Sequence, residues 1–245
     1  MVSDGAAAPE NFYGISDPAK LERVAGRSAA QRLYELESGD PLTSFTREVL
    51  VRVHAYLMQD IYPWAGQIRT TEVGAMGMAM CRAQFVDNEL DRVIRDIDRK
   101  SPSTTDIDAA VNTVADHWSE MTMVHPFQDG NSRTQRFFFD QMLRDAGLAV
   151  DWTQVNAERV HAARYVGAAT VDSSYLAQTL RPAVHPADQI AAGTLTATVN
   201  TRDTRASAEI FHDMMEFKRS HPRGTPYQLP GRFNPSTTDT DLSER

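Results

Sequence analysis

The chain has 245 residues, of which 41% are hydrophobic and 24% are charged, and its formal net charge is −8. This length suits one domain with appendages or two small domains, and the acidic balance argues against binding to the nucleic-acid backbone. The single cysteine excludes an intrachain disulfide, and with no apolar membrane-spanning run and no secretory leader we predict a soluble, cytoplasmic protein, with export lacking a cleaved signal left open.

The first part of the chain predicts a loose terminus followed by two helices. Residues 1–10 are rich in Ala, Pro and Gly, which favours a flexible segment. A helix is predicted over residues 17–36, with Asp17 as its cap and an interruption at Gly26. Apolar residues at three- and four-residue steps then predict an amphipathic helix over residues 45–61.

Residues 67–82 change character and predict a short β-hairpin. Strand-favouring side chains come first, and glycines and methionines then alternate around a predicted turn at residues 74–77. The strand-favouring residues are Ile68, Thr70, Thr71 and Val73. The methionines that follow either form an adaptable target-binding surface or pack beneath the hairpin, and the sequence leaves both open.

Helical spacing resumes after the hairpin and predicts an all-α protein. The predicted helices cover residues 86–97, 107–124, 132–146, 156–167, 174–180 and 206–219. Between the last two, residues 181–205 predict a linker or a shallow helix. The proline-rich, polar residues after the last helix predict an irregular tail.

Residues 125–136, HPFQDGNSRTQR, concentrate reactive side chains between two of these helices. A helix that begins near Ser132 would direct the backbone N–H groups of the preceding loop towards its positive N-terminal end. Gly130 and Asn131 tolerate left-handed backbone angles, so their amides favour a concave nest for phosphate.

The side chains of this segment fit nucleotide or phosphoryl transfer. Arg133 and Arg136 are three residues apart, which predicts two guanidinium groups on one helix face. Asp129 is a hard oxygen ligand suited to Mg²⁺, and His125 is the group that exchanges a proton near neutral pH. Each feature alone has an ordinary explanation as a turn, a loop dipeptide or a solvated face. For His54 and His117, which fall within helices, we expect structural roles.

HPFQDGNSRTQR resembles the signature of the Fic family (Fic/Doc superfamily), His-Pro-Phe-x-Asp/Glu-Gly-Asn-Gly-Arg-x-x-Arg. NFYGISD, DIYPWAGQIR and the methionine-rich hairpin are similar to the family's N-terminal segment, core helix end and flap, in the same order. The resemblance implies a Fic-like helical bundle with a small β-hairpin flap over residues 11–182. A C-terminal helical extension over 183–222 and an irregular tail over 223–245 complete the predicted organisation.

The resemblance also implies a reaction and a role for each residue of the motif. Family members transfer AMP from ATP–Mg²⁺ to a Ser, Thr or Tyr hydroxyl of a target protein, with His125 as general base and Asp129 holding Mg²⁺. Phe127 anchors the loop, and Arg136 contacts the γ-phosphate. The implied anion hole for the α- and β-phosphates consists of Gly130, Asn131, Ser132 and Arg133. The implied target-binding flap contains Ile68, Thr70, Thr71, Val73, Met76 and Met78.

Ser132 departs from the family pattern, which has Gly at this position. Its side chain narrows the space beside the phosphates, or its hydroxyl donates to one of them. A protein kinase of the Doc type and a catalytically spent protein-binding module are therefore kept as alternatives.

The resemblance favours a bacterial toxin. Its expected inhibitor is a separate antitoxin that carries Ser/Thr-x-x-x-Glu-Gly/Asn. Family precedents for the target are DNA gyrase and topoisomerase subunits and small GTPases.

Overall fold

The computed structural model describes residues 8–103, 105–191, 194, 205–222 and 224–228. The helices in this part of the chain are α1 (Pro18–Ser38), α2 (Arg47–Met58), α3 (Val86–Arg99), α4 (Ile107–Val124), α5 (Asn131–Asp145), α6 (Ala157–Thr170), α7 (Ser174–Leu180) and α8 (Ser207–Ser220). The strands are β1 (Gly74–Ala75), β2 (Met78–Ala79), β3 (Leu148–Val150) and β4 (Val184–Pro186). The predicted all-α fold with a small hairpin is confirmed. Residues 1–7 and 229–245, which hold most of the predicted flexible N terminus and tail, lie outside the described residues.

Helix α1 begins where the sequence predicts and continues through Gly26. The Asp17 side chain accepts a hydrogen bond of 2.7 Å from the Lys20 N–H, which caps the helix. The predicted interruption at Gly26 is wrong, because α1 buries a row of apolar residues along α2 and α5. That burial offsets the cost of about 1 kcal/mol of a helical glycine.

Helix α4 forms the centre of the bundle. It contacts α3, α5, α6 and α7, and apolar or small side chains are buried on most of its circumference. A helix that is apolar around its whole surface is stable when other helices surround it. The His117 ring bonds to the Lys100 carbonyl oxygen at 2.8 Å, which confirms the structural role predicted for this histidine. No helix among the described residues is long and apolar enough to cross a bilayer.

A second pair of strands is present that the sequence did not predict. Strands β3 and β4 pair antiparallel, with Val150 opposite Val184 and Leu148 opposite Pro186. The strand Val184–Pro186 falls in the segment predicted as a linker. Each strand has only three residues and its partner lies more than thirty positions away, so the pairing depends on the packing of α5, α6 and α7 rather than on a local pattern.

The flap hairpin turns where it was predicted but is shorter. Strands β1 and β2 are joined by Met76 and Gly77, which both have positive φ, as a tight hairpin turn requires. The predicted strand through Ile68, Thr70, Thr71 and Val73 is wrong: the Met80 N–H does donate to the Val73 carbonyl at 3.1 Å, but residues 68–73 are outside the ladder. The second position of the turn favours glycine, as found at Gly77.

The underside of the hairpin packs on the C-terminal helix. Met76 and Met80 are 9% and 4% exposed and form a cluster with Tyr165 of α6, while Ala208 and Phe211 of α8 cover its edge. Met76 and Met80 therefore pack beneath the hairpin. The sequence analysis placed Met76 on the target-binding surface, but its side chain is buried here. Met78 is half-buried. Helix α8 supports the flap.

We expect Phe211→Ala to loosen the hairpin. Removing the ring opens space between α8 and the methionine cluster, which should lower the free energy of unfolding by about 2 kcal/mol. Amide hydrogen exchange of residues 73–80 should accelerate. Phe12→Ala, at a position that is 62% exposed, serves as the control and should change neither quantity. Unchanged exchange in Phe211→Ala would show that α8 does not hold the flap.

Candidate active site

The loop between α4 and α5 begins with a strained backbone at His125. His125 ends α4 in the left-handed conformation, with φ 49° and ψ 62°, and its N–H donates to the Met121 carbonyl at 3.0 Å. A non-glycine residue in this conformation costs about 1–3 kcal/mol, so surrounding contacts must hold it. The turn directs the His125 side chain away from the axis of α4.

Asn131 closes the loop with two hydrogen bonds. Its side-chain oxygen accepts from the Phe127 N–H at 3.0 Å, and its side-chain nitrogen donates to the Phe127 carbonyl at 2.7 Å. Asn131 is the first residue of α5 and is 2% exposed, and of the two residues that tolerate a left-handed backbone Gly130 adopts it and Asn131 does not. Its side chain is used within the loop, and only its backbone N–H remains for an anion.

Gly130 is required by both backbone and space. Its φ is 78°, and a Cβ at this position would lie 2.8 Å from the Met58 Cε and 2.9 Å from the Met58 Sδ. Gly130 precedes the first turn of α5, where the N–H groups of residues 131–133 have no acceptor among the described residues. These three amides form the positive end of the helix, which matches the predicted phosphate nest.

His54 supports this loop from below. Its Nδ1 accepts from the Gly66 N–H at 2.9 Å, so its Nε2 carries the proton and donates to the Asp129 carbonyl at 2.9 Å. The ring stacks on Phe127 with centroids 3.7 Å apart. The predicted structural role is confirmed. The sequence did not indicate that this histidine carries the loop, because the contact joins residues 75 positions apart.

Arg69 is a second support that the sequence analysis missed. This arginine is 5% exposed, and its backbone N–H donates to the Pro126 carbonyl at 2.9 Å. Its guanidinium donates to the carbonyl oxygens of Thr71, Cys81, Val124 and His125. The guanidinium therefore satisfies carbonyls that the end of α4 leaves without partners and fixes the His125 backbone. Arg69 lies in DIYPWAGQIR, but no spacing in that segment signals carbonyl capping.

The His125 ring has a defined tautomer. Its Nδ1 lies 3.3 Å from the Thr122 carbonyl oxygen, which only accepts, so Nδ1 carries the proton and Nε2 keeps its lone pair. Burial and the nearby Arg164 guanidinium lower the pKa of His125 to about 3. The ring is therefore neutral at neutral pH and able to accept a proton at Nε2.

Asp129 is held by its neighbours with both oxygens engaged. Its Oδ1 accepts from the Gly130 N–H at 2.7 Å, and its Oδ2 accepts from the Tyr62 hydroxyl. Burial, followed by the Asp129 charge, raises the pKa of Tyr62, so this hydroxyl stays a donor. Among the described residues there is no cluster of three or more metal-ligating side chains. A cation here would depend on Asp129 together with oxygens of a ligand and water.

The two arginines of the motif diverge. Arg133 reaches α1, where it lies 3.5 Å from the Glu22 carboxylate and 3.4 Å from the Ala25 carbonyl. Arg136 packs over the Trp152 ring at 4.6 Å, and burial lowers the pKa of its guanidinium. Both residues lie on α5 with the predicted three-residue spacing, but in this structure their guanidinium groups contact different parts of the bundle.

A small polar cavity lies beside the start of α5. It has a volume of about 160 Å³, and its walls include Ser132, Arg136 and Trp152, together with His161 and Arg164 of α6. The sequence analysis missed His161 and Arg164, because they are distant in the chain and belong to no motif. A larger groove of about 620 Å³ between α3, α4 and α6 is lined by none of residues 125–136, so its size does not identify it as the reactive site.

Comparisons with known proteins agree with this geometry. Residues 44–143, which include the whole loop, match the Fic/DOC family model. A probable protein adenylyltransferase Fic of Salmonella typhimurium is 27% identical over 165 residues, covering 67% of this chain and 82% of that protein. Protein adenylyltransferase VbhT of Bartonella schoenbuchensis is 27% identical over 151 residues, covering 61% of this chain. The chain spans about a third, 32%, of the length of VbhT.

Solved structures share the fold. The BepC protein of Bartonella tribocorum, solved with bound AMPPNP, superposes with a TM-score of 0.67 at 21% identity, over 76% of this chain and 96% of that one. The N-terminal Fic domain of a Bep effector from Bartonella sp. AR 15-3 superposes with a TM-score of 0.68 at 19% identity. These similarities show a common helical architecture.

We expect Arg69→Ala to destabilise the protein strongly. The substitution leaves several buried carbonyl groups without donors, so the free energy of unfolding should fall by about 3 kcal/mol or more. Urea unfolding followed by tryptophan fluorescence measures this change. The exposed Arg82 provides a matched Arg→Ala control with an expected change within about 0.5 kcal/mol. Equal effects of the two substitutions would contradict the capping role.

Stability should also fall in mild acid. Burial lowers the pKa of His54, His125 and His161 to about 4, about 3 and about 2. An unfolded histidine titrates near pH 6.5, so below that pH the unfolded chain binds protons that the folded chain does not. The free energy of unfolding therefore has its full value above pH 7 and decreases as the pH falls below the pKa of the unfolded histidines. At pH 5.5 each histidine contributes a loss of about 1.4 kcal/mol.

Urea unfolding at pH 7.5 and pH 5.5 tests this expectation, with His212→Gln as the control because that side chain is 71% exposed. The control should show the same pH difference as the wild type. Equal stability of the wild type at both pH values would contradict burial of neutral imidazoles.

Proposed function

We propose that the chain, whose residues 44–143 match the Fic/DOC family model, is a member of this family and transfers AMP from ATP to a Ser, Thr or Tyr hydroxyl of a target protein. The observation that carries this proposal is that one short loop joins His125, whose Nε2 keeps its lone pair, to three amides at the start of α5 that have no acceptor within the described residues. The relatives named as protein adenylyltransferases and the AMPPNP bound to BepC support ATP as the co-substrate.

In the proposed reaction His125 is the general base. Its Nε2 takes the proton of the target hydroxyl while that oxygen attacks the α-phosphorus of ATP. A new bond forms between the hydroxyl oxygen and the α-phosphorus, and the bond from the α-phosphorus to the bridging oxygen breaks, releasing pyrophosphate. Approach of the triphosphate brings negative charge to the buried imidazole, which raises its proton affinity when the proton is transferred.

The first turn of α5 would bind the phosphates. The backbone N–H groups of Asn131, Ser132 and Arg133 would donate to their oxygens, and the positive φ of Gly130 sets the turn that begins α5. The Arg133 guanidinium would exchange its long contacts to α1, of 3.4 and 3.5 Å, for a phosphate, and Arg136 would contact the γ-phosphate end.

Asp129 is the residue that fits a Mg²⁺ ion. Its half-buried carboxylate lies two residues before the amide nest, and Mg²⁺ in nucleotide sites uses one or two carboxylates together with phosphate oxygens and water. When bound, the ion neutralises charge on the phosphates. The Tyr62 hydroxyl keeps the carboxylate in one orientation.

The flap is the proposed target-binding element. Thr70 and Thr71 are exposed, while Ile68, Val73 and Met78 are half-buried, so a target can reach the segment before the hairpin, where the carbonyls of Thr71 and Val73 are already hydrogen-bonded within the chain. Strand addition would place an extended target segment beside His125, because Arg69 joins the flap to the loop. Met76 lies beneath the hairpin, so it would stabilise the flap and would not contact the target.

Control by a separate antitoxin and a toxin role remain predictions from the resemblance. Two sites in the sequence partly match the inhibitory pattern. In the first, Ser44–Glu48, Glu48 is exposed in the first turn of α2 and Val49 replaces the expected glycine or asparagine. The second, at residues 240–244, lies outside the described residues. The predicted catalytic unit over 11–182 and extension over 183–222 are in contact through α6 and α8.

Labelled ATP tests the reaction. With purified chain, Mg²⁺ and host lysate, label from α-phosphate-labelled ATP should appear on a target protein, and label from the γ-phosphate should not. His125→Ala should reduce transfer at least about 100-fold, because the general base is lost. His212→Ala is the matched control and should transfer normally. The reverse labelling pattern would indicate a kinase, and equal transfer by wild type and His125→Ala would refute the mechanism.

A further inference from the structure

The polar cavity beside α5 contains a pair of side chains that no motif assigns. We propose that the Ser132 hydroxyl is a phosphate donor held ready by His161, and that this pair with Arg164 recognises the phosphates of a nucleoside triphosphate beyond the α-phosphate. The inference rests on the proposed function and adds specificity-determining residues to it. The hydrogen bonding of His161, the charge of the cavity and the position of Ser132 each support this role.

The protonation of His161 follows from its partners. Arg164 Nη2 lies 3.2 Å from His161 Nδ1, and a guanidinium only donates, so Nδ1 is the acceptor and Nε2 carries the proton. Ser132 Oγ lies 3.3 Å from the same Nδ1. The serine hydroxyl therefore directs its hydrogen to the imidazole.

Two donors share one lone pair of His161. Both contacts are long for hydrogen bonds, as expected when one acceptor serves two donors. If Ser132 redirects its hydrogen, Arg164 still satisfies Nδ1. The cost of turning the hydroxyl towards an incoming phosphate oxygen is therefore small, and the new bond to a charged acceptor is stronger than the one lost.

The cavity also carries positive charge that its described walls do not balance. Arg164 is 1% exposed, bonds to the neutral side chains of Thr122, Gln135 and His161, and lies over the neutral Tyr165 ring at 4.6 Å. No carboxylate within the described residues forms an ion pair with it. A buried guanidinium without an acid partner is stabilised by an anion.

Arg136 adds a second guanidinium group to the cavity, and the nearby carboxylates Asp140 and Glu158 already have other partners. Arg136 Nε is buried without a hydrogen-bond partner in the described part of the chain. The neighbouring Asp140 is engaged by Arg144 at 2.8 Å and by the Trp152 indole at 2.9 Å. Glu158, the one carboxylate of the lining, accepts from the Ser207 N–H at 3.1 Å.

The position of Ser132 connects the cavity to the nucleotide. Ser132 belongs to the first turn of α5, whose amides face the proposed phosphates, and its hydroxyl lines the cavity together with Arg136. A ligand with β- and γ-phosphates would reach these groups, whereas AMP would not. The pair should therefore favour ATP over AMP without acting on the proton transfer at His125.

Equilibrium dialysis of the full chain with labelled Mg²⁺–ATP and with labelled AMP tests the inference. We expect Ser132→Ala to weaken ATP binding about tenfold, the value of one charge-assisted hydrogen bond, and to change AMP binding less than about twofold. Ser132→Gly should weaken ATP binding to the same degree. Tighter ATP binding by Ser132→Gly would show that the serine only obstructs the site.

Variants of His161 distinguish a role in orienting the Ser132 hydroxyl from a role in stabilising the fold. His161→Leu removes the acceptor and should weaken ATP binding several-fold with AMP binding unchanged, while His161→Gln keeps a side-chain acceptor and should restore most of the affinity. Thermal unfolding of each variant verifies folding, and the surface substitution Ser220→Ala is the matched control.

Equal losses for ATP and AMP, or no loss for ATP, would overturn the inference. Because the readout is binding, this failure is distinct from failure of the proposed function. If the wild type binds ATP with the expected pattern but transfers no AMP, only the proposed reaction is refuted. If the wild type binds neither nucleotide, both are refuted.

Discussion

The structure of the reactive loop depends on one buried guanidinium. Arg69 donates to the carbonyl of His125 at 2.6 Å and to that of Val124 at 3.2 Å, so it holds the left-handed turn at the end of α4. Without these donors the turn would carry both backbone strain and unsatisfied carbonyls. The same guanidinium also bonds to Thr71 and Cys81 on either side of the flap. One side chain therefore couples the position of the proposed base to that of the proposed target-binding segment.

Buried neutral histidines complete the support of the loop. His54 fixes the Asp129 backbone from α2, and the tautomer of His125 is set by a carbonyl of α4. In both rings a fixed hydrogen-bond partner determines which nitrogen carries the proton. A general base needs such a defined tautomer, because its lone pair must lie on a known nitrogen. The cost is a dependence on pH, because burial lowers the pKa of both rings. The site is thus rigid at neutral pH and relies on a ligand to supply negative charge.

The C-terminal helix α8 stabilises the flap. A hairpin with two residues per strand is too short to be stable alone, and α8 provides the surface on which Met76 and Met80 are buried. The Ser207 N–H is capped by Glu158, and Lys218 forms an ion pair with Asp172, so both ends of α8 are attached to the bundle. The extension predicted as a separate unit is therefore in contact with the element that the catalytic unit would use to bind its target.

The sequence alone determined what is encoded over short distances. Helical periodicity, the cap at Asp17, the hairpin turn within residues 74–77, and the order of reactive residues from His125 to Arg136 were all read from neighbouring positions. The tertiary structure decided what depends on contacts between distant residues. These include the carbonyl capping by Arg69, the divergence of Arg133 and Arg136, the β3–β4 pair, and the meeting of Ser132 with His161. Periodicity reports which face of a helix is buried, but it does not report which helix lies opposite, so the partners of a polar side chain are known only once the bundle is assembled.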